Sequence, residues 1–230
     1  MKPVAEVFDF NVKDYDGWFD TLQGKLLFNI EVDAVKRLAK RMNHPFLEIG
    51  VGTGRFAKKI GIDFGIDPSQ EALRLAKRRG IQVKKASGER LPFKDEFFGC
   101  VFILFTLCFV EDPGKVLAEA KRVLKPDGGL IVGLINRESP WGKLYLKKKE
   151  EGHPIYKHAR LYSVKEVIEM MGVAGMQIEA YSSALLQPPS ESPYEEAAYS
   201  WFRAGAGFIC ILAKKASSSV NVSRETSKDA

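Results

Sequence analysis

Apolar and polar positions along this chain predict short strands that alternate with short helices. Apolar residues at helical spacing run through residues 17–42, and Pro45 ends that pattern. Beyond Pro45, short apolar stretches alternate with amphipathic ones as far as residue 135. The predicted strands are 46–49, 62–66, 81–86, 100–105 and 130–135, and the predicted helices are 55–60, 69–79 and 115–125. This alternation is typical of βαβ units and therefore of a mostly parallel sheet.

The pattern changes after residue 135. Residues 136–162 are polar, basic and aromatic, and residues 163–171 predict a helix in which Ser163 and Glu166 form a capping box. Residues 178–186 and 207–213 predict two closing strands, and the serine-rich stretch 216–230 predicts a disordered tail. The expected regions are an N-terminal helical segment (1–44), a core (45–135), an insert (136–162), a final helix with a closing hairpin (163–215) and the tail (216–230).

The composition is that of a soluble globular domain with some additions. Of the 230 residues, 45% are hydrophobic and 28% are charged. The longest apolar run, residues 100–110, is about half the ~20 residues that a membrane-spanning helix needs. No apolar segment of a signal peptide follows Lys2, and the three cysteines lie too far apart for a metal or redox pair. We therefore expect a cytoplasmic protein without a membrane span and without a metal site.

Basic residues exceed acidic ones, 35 against 29, which gives a net charge of +6. Much of the excess lies in residues 140–160, which carry six basic side chains and two acidic ones. A basic protein suits an anionic substrate or a nucleic acid, and net charge alone does not decide between them.

A glycine-rich loop is the most specific local signal. Gly50, Gly52 and Gly54 follow the first predicted strand, and Glu48 lies two residues ahead of them. Glycines let the backbone pass close beneath a ligand, and the helix that follows offers unpaired N–H groups to an anion. A dinucleotide loop needs its third glycine at position 55, where this chain has Arg55, so the spacing argues against a nicotinamide cofactor. An ordinary glycine turn is the alternative.

Two further segments follow predicted strands. Asp67 ends the second strand, where a carboxylate can accept hydrogen bonds from a ribose diol, or cap the next helix. Residues 86–95 follow the third strand, where an adenine could lie. Because the carboxyl ends of parallel strands share one edge of the sheet, we expect all these segments to meet there.

Residues 15–135 resemble the class I S-adenosylmethionine-dependent methyltransferases, and in particular the small-molecule branch similar to the ubiquinone/menaquinone-biosynthesis enzymes. The resemblance is carried by ordered blocks at residues 47–56, 65–69, 88–93, 110–113 and 118–129. It implies a Rossmann-like α/β sheet of seven strands, mostly parallel with the last strand antiparallel, and helices on both faces. It also implies an N-terminal helical lid, an insert after strand five, and S-adenosylmethionine as cofactor.

The resemblance further implies where the cofactor would bind. The glycines would pass beneath its methionine part, and Asp67 would hold the ribose hydroxyls. Gly88 and Glu89 would lie near the adenine, and Phe105 and Thr106 would flank the sulfonium. The complete predicted set is Tyr15, Glu48, Gly50, Val51, Gly52, Gly54, Asp67, Pro68, Gly88, Glu89, Phe105 and Thr106.

Three positions depart from the family pattern. Ser87 stands where relatives often carry an aspartate, which alters the expected adenine contact. Cys108 and Phe109 stand where relatives often carry a histidine pair, so an obvious base is missing and the site is more apolar.

The insert 136–162 is expected to cover the substrate, and its basic balance predicts an acidic or anionic acceptor. His153, His158 and Tyr156 are the candidate catalytic residues. Lysines 147–149 are expected to face water. Tyr15 is the expected lid contact, while Trp18 and Phe19 fit either the lid or the core.

The predicted function is methyl transfer to a small molecule by in-line displacement. Such a reaction needs a general base only if the acceptor must lose a proton. One alternative is a nucleic-acid or protein methyltransferase, which the basic charge suggests but no Asn-Pro-Pro-Tyr or Pro-Cys motif supports. The other is a protein that binds the cofactor without catalysis. The oligomeric state is left open.

Overall fold

The computed structural model describes residues 4–190 and 192–216. Seven strands form one sheet, and seven α-helices lie in the described part of the chain. The strands are β1 (Phe46–Ile49), β2 (Phe64–Asp67), β3 (Gln82–Lys85), β4 (Phe98–Leu104), β5 (Leu124–Ile135), β6 (Met176–Ala184) and β7 (Phe208–Lys215). The helices are α1 (Val4–Trp18), α2 (Leu22–Ala39), α3 (Arg55–Ile60), α4 (Gln70–Arg78), α5 (Pro113–Val123), α6 (Pro140–Glu150) and α7 (Val164–Val173).

The strand order is β3-β2-β1-β4-β5-β7-β6. Strands β1 to β5 pair in parallel, and β7 lies antiparallel between β5 and β6. The predicted Rossmann-like sheet with an antiparallel last strand is therefore confirmed. The order reverses between β1 and β4, and such a reversal leaves a crevice at the carboxyl ends of the strands.

Alternate residues of the central strands face two separate cores. In β4, Phe102 packs with residues of α2 and α3, whereas Val101 and Ile103 pack with residues of α5 and α7. All seven residues of β4 are buried, so the strand is a continuous apolar run although its two faces serve different cores. Helices thus cover both faces, as predicted.

The single helix predicted over residues 17–42 is wrong at its start. Residues 17 and 18 end α1, and α2 begins at Leu22 after three intervening residues, where the Thr21 hydroxyl accepts a hydrogen bond from the Gly24 amide at 2.9 Å. Between the helices, Phe19 turns into the core, with its ring edge-on to Phe28 at 5.3 Å. Burial of this ring and capping by Thr21 break a pattern that hydrophobic spacing alone continues.

The remaining predicted elements are present, with ends that differ by a few residues. The largest change is β5, which begins at Leu124 because that residue pairs with Phe98 across a bulge. The predicted capping box of α7 is confirmed, since the Ser163 and Glu166 side chains each accept a hydrogen bond from the other's backbone N–H.

The predicted lid region 1–44 contains two helices with different positions. Helix α2 packs on the sheet against β6 and β7, whereas α1 lies over the crevice and contacts α4. Of the predicted tail, residues 217–230 lie outside the described residues. Within the described ranges, no helix has the length and apolar character needed to cross a membrane.

Candidate functional site

The glycine loop lies where the strand order reverses. Gly50 has φ of 74°, and a Cβ at this position would lie 2.3 Å from side-chain atoms of Thr106. The Thr106 hydroxyl faces the Gly50 carbonyl oxygen at 3.4 Å. Since a side chain at position 50 would push the two loops apart, glycine is required for the loops after β1 and β4 to meet.

Asp67 ties this loop to the end of β2. Its carboxylate accepts hydrogen bonds from the Gly52 amide at 2.9 Å and from the Ser69 amide at 2.8 Å. Burial raises the pKa of Asp67 to about 6, although the two amides oppose that shift. A carboxylate has about four acceptor positions, so Asp67 keeps acceptor capacity toward the cavity that it lines.

Three predicted residues are buried and do not line the cavity. Val51 and Gly54 are packed against the neighbouring elements, where a Cβ at Gly54 would lie 2.9 Å from Ala76. Glu48 is buried, and its Oε2 atom has no hydrogen-bond partner among the described residues. Burial raises the pKa of Glu48 well above its usual range, and Asp67 adds to this effect.

The loop after β3 brings a second carboxylate to the cavity. The Ser87 hydroxyl contacts the Glu89 carboxylate, and the Glu89 amide donates to the Ser87 hydroxyl oxygen at 3.2 Å. Both residues and Gly88 line the cavity. Ser87, which departs from the family pattern, therefore orients Glu89.

Phe105 forms the wall of the cavity after β4. It has φ of 56°, a conformation that costs energy for a non-glycine residue. Its ring stacks on Phe208 of β7 at 4.7 Å and packs against Phe56 of α3 at 5.4 Å. Three residues later, the Cys108 thiol donates a hydrogen bond to the Phe105 carbonyl at 3.3 Å, and burial raises the pKa of this thiol to about 12.

Charged residues hold α1 over the cavity. Asp16 pairs with Arg55 at 2.9 Å and with Arg79 at 2.8 Å, and these partners keep its pKa well below the usual range although partial burial opposes the effect. Arg79 also donates to the Thr53 carbonyl in the glycine loop at 2.6 Å. At the other end of α1, Asp9 contacts the Ser69 hydroxyl that caps α4. The helix is therefore attached to the glycine loop and to α4.

The insert lies across the cavity from α1. It is anchored by Trp141, whose indole N–H donates to the Gln187 carbonyl at 2.7 Å, and by the Arg160 amide, which donates to the Cys108 carbonyl at 2.8 Å. Tyr145 and Tyr156 pack edge to face at 4.6 Å and line the cavity. These contacts bring the aromatic residues of the insert next to Cys108.

The two candidate histidines lie in different places. His153 lines the cavity, and its Nδ1 atom accepts from the backbone amides of Ile155 at 3.2 Å and Tyr156 at 3.4 Å. Burial, with a smaller effect of Lys148, lowers the pKa of His153. His158 is not among the described residues that line the cavity.

The expectation that lysines 147–149 all face water is wrong. Lys147 is at the surface, where it pairs with Glu151 at 3.8 Å. Lys148 is half-buried and lines the cavity, and the Lys149 ammonium donates to the Ala159 carbonyl at 2.6 Å. The long side chain of Lys148 extends along the aromatic surface and places its ammonium over the rings of Tyr145 and Tyr156, at the cavity.

One cavity of about 670 Å³ joins these parts. It runs from the glycine loop, past Phe105, to an aromatic end between α1, α2 and the insert. Trp18 and Phe19 also line it, and Phe19 belongs to the core as well, so both readings of this pair hold in part. The predicted residues on its surface are Tyr15, Gly50, Gly52, Asp67, Pro68, Gly88, Glu89, Phe105, Thr106, His153 and Tyr156.

The most important residue that sequence reasoning missed is Glu31. It is only 8% exposed and lines the aromatic end of the cavity. Burial raises the pKa of its carboxyl to about 8. The sequence contains one signal for this residue: Leu27, Glu31 and Val35 fall at four-residue spacing, which places Glu31 on the apolar face of α2.

Comparisons with known proteins agree with this architecture. Residues 47–132 match a family model described as a methyltransferase domain. An uncharacterized protein of Mycobacterium tuberculosis is 43% identical over 92% of this chain and 74% of its own length. A ubiquinone/menaquinone biosynthesis C-methyltransferase of Pseudomonas putida is 32% identical over 64% of this chain and 62% of its own length.

A solved structure covers nearly the same elements. It is a Thermotoga maritima protein described as a SAM-dependent methyltransferase and possible histamine N-methyltransferase. It is 38% identical to this chain and superimposes with a TM-score of 0.85, covering 92% of this chain and 99% of that one.

Proposed function

This chain belongs to the class I S-adenosylmethionine-dependent methyltransferases, and on that premise we propose that it methylates a small molecule held inside the cavity. When bound, S-adenosylmethionine supplies a methyl group on a positively charged sulfur. The protein's part is to bind both reactants, to align them and to exclude water.

The residues at the glycine end fit this cofactor. A Cβ at Gly52 would meet nothing within 4 Å, so the loop leaves open space above its backbone. Asp67 keeps acceptor positions for a ribose diol, and Glu89 lines the neighbouring part of the cavity. We assign the methionine part to Gly50 and Gly52, the ribose to Asp67, and the adenine to the side of Gly88 and Glu89.

The shape of the cavity is the observation that carries the proposal. A volume of about 670 Å³ lies within the range of small-molecule sites and must hold the cofactor as well as the acceptor. Helix α1 and the insert cover it from two sides. A small acceptor fits this space, whereas a folded macromolecule would require an open groove.

The aromatic wall supplies alignment. Phe105 is fixed between Phe208 and Phe56, so its position does not depend on the reactants. Alignment of this kind contributes up to ~7–11 kcal/mol in well-oriented intramolecular reactions. A rigid wall at the end of β4 therefore suits in-line transfer between two molecules that meet on the cavity side of it.

The charges around the cavity do not favour a nucleic acid. All six basic residues of stretch 140–160 lie in the described part of the chain, and of these Lys148 lines the cavity. Phosphate recognition normally uses several cations on an open surface. The Thermotoga maritima protein is described as possibly acting on histamine, which is itself a small molecule.

The test is to incubate the protein with methyl-labelled S-adenosylmethionine and cell extract separated into a small-metabolite fraction and a macromolecular fraction. We expect label in the small-metabolite fraction. We also expect calorimetric binding of S-adenosylhomocysteine that Asp67→Ala weakens by about tenfold or more, since a charged hydrogen-bond acceptor is lost.

The matched control is Asp33→Asn, because Asp33 pairs with Arg37 on the outer surface of α2. This variant should bind S-adenosylhomocysteine as the wild type does. Label confined to RNA or protein would contradict the proposal for the acceptor. Absence of S-adenosylhomocysteine binding to the folded protein would contradict the assigned cofactor residues.

A further inference from the structure

Glu31 is a buried carboxyl that lines the cavity and has no partner among the residues that the structure describes. Among the described residues, no group donates a hydrogen bond to this carboxyl and no cation pairs with it, and burial is the one cause of its raised pKa. Buried polar groups in proteins are nearly always matched. A carboxyl on a cavity surface without a hydrogen-bond or ion-pair partner therefore indicates a ligand group that supplies one.

Three tyrosine rings surround this end of the cavity. Tyr145 and Tyr156 come from the insert and Tyr15 comes from α1. Besides the larger effect of burial, the charge of Glu31 raises the pKa of each of these tyrosines, so all three lie within its electrostatic reach. The faces of aromatic rings attract cations, so the rings and the carboxylate favour the same sign of charge.

Lys148 lies close to these rings but leaves Glu31 free. Its ammonium is 5.2 Å from the ring centroid of Tyr145 and 5.8 Å from that of Tyr156. The rings thus hold a cation of the protein already. No ion pair joins Lys148 to Glu31 among the residues that the structure describes, so the carboxyl stays available for a ligand.

We propose that the acceptor is an amine whose nitrogen binds to Glu31 between the tyrosine rings. This rests on the proposed function and names the class of its substrate. An ammonium group would gain a charge-assisted hydrogen bond from the carboxylate and cation–π attraction from the rings. An anionic acceptor, which the basic insert predicts, would keep Glu31 protonated and would have Lys148 as its partner.

Glu31 also provides the proton acceptor that an ammonium requires. An ammonium nitrogen has no free electron pair, so one proton first moves from nitrogen to the Glu31 carboxylate. The nitrogen pair then forms a bond to the methyl carbon, the carbon–sulfur bond breaks, and its electron pair remains on sulfur. The methylated nitrogen takes the positive charge, and the proton on Glu31 leaves to solvent with product release.

The other ionisable groups around this site differ from Glu31 in their pKa. Burial raises the pKa of the three tyrosines, of Cys108 and Cys210, and of Glu48, and it lowers the pKa of His153. Glu31 and Asp67 are the cavity carboxyls with a pKa near neutral, about 8 and about 6, and Asp67 lies at the glycine end. The titratable groups within electrostatic reach of Glu31 are Tyr15 from α1, Tyr145 from α6, Tyr156 from the insert and Cys210 from β7. Lys148, His153 and Cys108 line the same cavity.

The experiment is calorimetric titration of the protein saturated with S-adenosylhomocysteine. The probes are 2-phenylethylamine, 2-phenylethanol and phenylacetate, which share a shape but carry a positive charge, no charge and a negative charge. Each titration is repeated in two buffers of different ionisation enthalpy, because the difference in heat counts the protons released.

We expect the amine to bind best and to release nearly one proton at about pH 7. At that pH, Glu31 is mostly protonated in the free protein. In the complex the carboxyl is ionised beside the ammonium, so its proton is released to the buffer. At about pH 9 Glu31 is already ionised, so proton release should fall toward zero. Glu31→Gln should weaken amine binding by about tenfold to hundredfold and abolish proton release.

Glu169→Gln is the matched control, because the Glu169 side chain is 62% exposed on α7. It should leave amine binding and proton release unchanged. Binding of S-adenosylhomocysteine by Glu31→Gln reports that the variant is folded. If the wild type fails to bind S-adenosylhomocysteine, the proposed function fails. If it binds S-adenosylhomocysteine but the amine does not bind with proton release, the amine proposal alone fails.

The Lys148→Met variant distinguishes a positively charged acceptor from a negatively charged one. The amine proposal expects equal or tighter amine binding in this variant, because a competing cation is removed from the rings. Tighter binding of phenylacetate than of the amine, lost in Lys148→Met and strengthened in Glu31→Gln, would overturn the amine proposal. Equal binding of amine and alcohol, unchanged in Glu31→Gln, would overturn it as well.

Discussion

Single residues decide what each end of the cavity can bind. At the glycine end, the signals are local in sequence, because Gly50, Gly52 and Asp67 follow strands at fixed spacing. Their place in the site could therefore be predicted. At the acceptor end, Glu31 comes from the middle of a helix, and its exposure to the cavity depends on packing by α1 and the insert. No short motif encodes that packing, so sequence reasoning did not identify this residue.

Glu31 should make the stability of the protein depend on pH. Its folded-state pKa is raised from 4.5 to about 8, so the stabilisation is present below the ordinary pKa and is lost as pH rises through about 8. As the pH rises from about 4.5 to about 8, ionisation of Glu31 lowers the free energy of unfolding by up to about 1.4 kcal/mol per pH unit. Glu31→Gln should match the wild type at about pH 4.5 and exceed it by a few kcal/mol at about pH 8.

Urea unfolding at the two pH values measures this difference. Glu48 and Asp67 also have raised pKa values, but they contribute equally to the wild type and the variant. Glu169→Gln, with its exposed side chain, should follow the wild type at both pH values. Parallel stability profiles for Glu31→Gln and the wild type would show that Glu31 titrates normally.

At the level of elements, α1 is held mainly by charged contacts. Arg55 shows what the sequence could and could not predict. Its presence at the third-glycine position argued against a dinucleotide loop. Its ion pair with Asp16 was not predictable, because the two residues lie 39 positions apart. The strands and most helices were predictable because their periodicity is local. The separation of α1 from α2 was not, because it depends on burial of Phe19 against residues of other helices.

Asp16→Asn should loosen α1. The variant removes the charged partner of Arg79 and one of the two carboxylate partners of Arg55, which keeps its pair with Asp20 at 2.7 Å. The side chains of Arg55 and Arg79 are 16% and 24% exposed, so Arg79 is the partly buried cation that loses its counter-charge. We expect about tenfold weaker binding of S-adenosylhomocysteine, measured by calorimetry. Because the pKa of Asp16 is lowered, its contribution is present above the ordinary pKa and is lost only as pH falls through the lowered value.

Asp33→Asn again provides the comparison, since the Asp33–Arg37 pair is solvent-exposed and contributes little. Unchanged binding in both variants would mean that these ion pairs do not hold α1 over the cofactor.

At the scale of the whole molecule, the cavity has walls from distant parts of the chain. The sheet edge supplies its floor, α1 covers one side, and residues 136–162 cover the other. The general architecture followed from the alternation of strands and helices. The composition of the acceptor end did not, because it is assembled from α1, α2, the β4 turn and the insert at once.

Ligand binding should therefore protect these covers more than the sheet. With S-adenosylhomocysteine at about 100 times its Kd, backbone amides of α1 and residues 136–162 should exchange up to about a hundredfold more slowly where exchange requires ligand release. Strands β4 and β5 should change little. Hydrogen–deuterium exchange measured by mass spectrometry tests this. Protection confined to residues 50–54 would contradict a covering role for α1 and the insert.

The stacking of Phe105 on Phe208 also governs when the protein becomes active during its synthesis. The glycine loop leaves the ribosome long before β7, because translation runs from the N-terminus. A nascent chain that ends before Phe208 exposes one face of Phe105 and the unpaired edge of β5, two surfaces prone to association. We therefore expect incomplete chains to lack the support of Phe105 by β7, so that the capacity for methyl transfer arises only when the final strand has inserted.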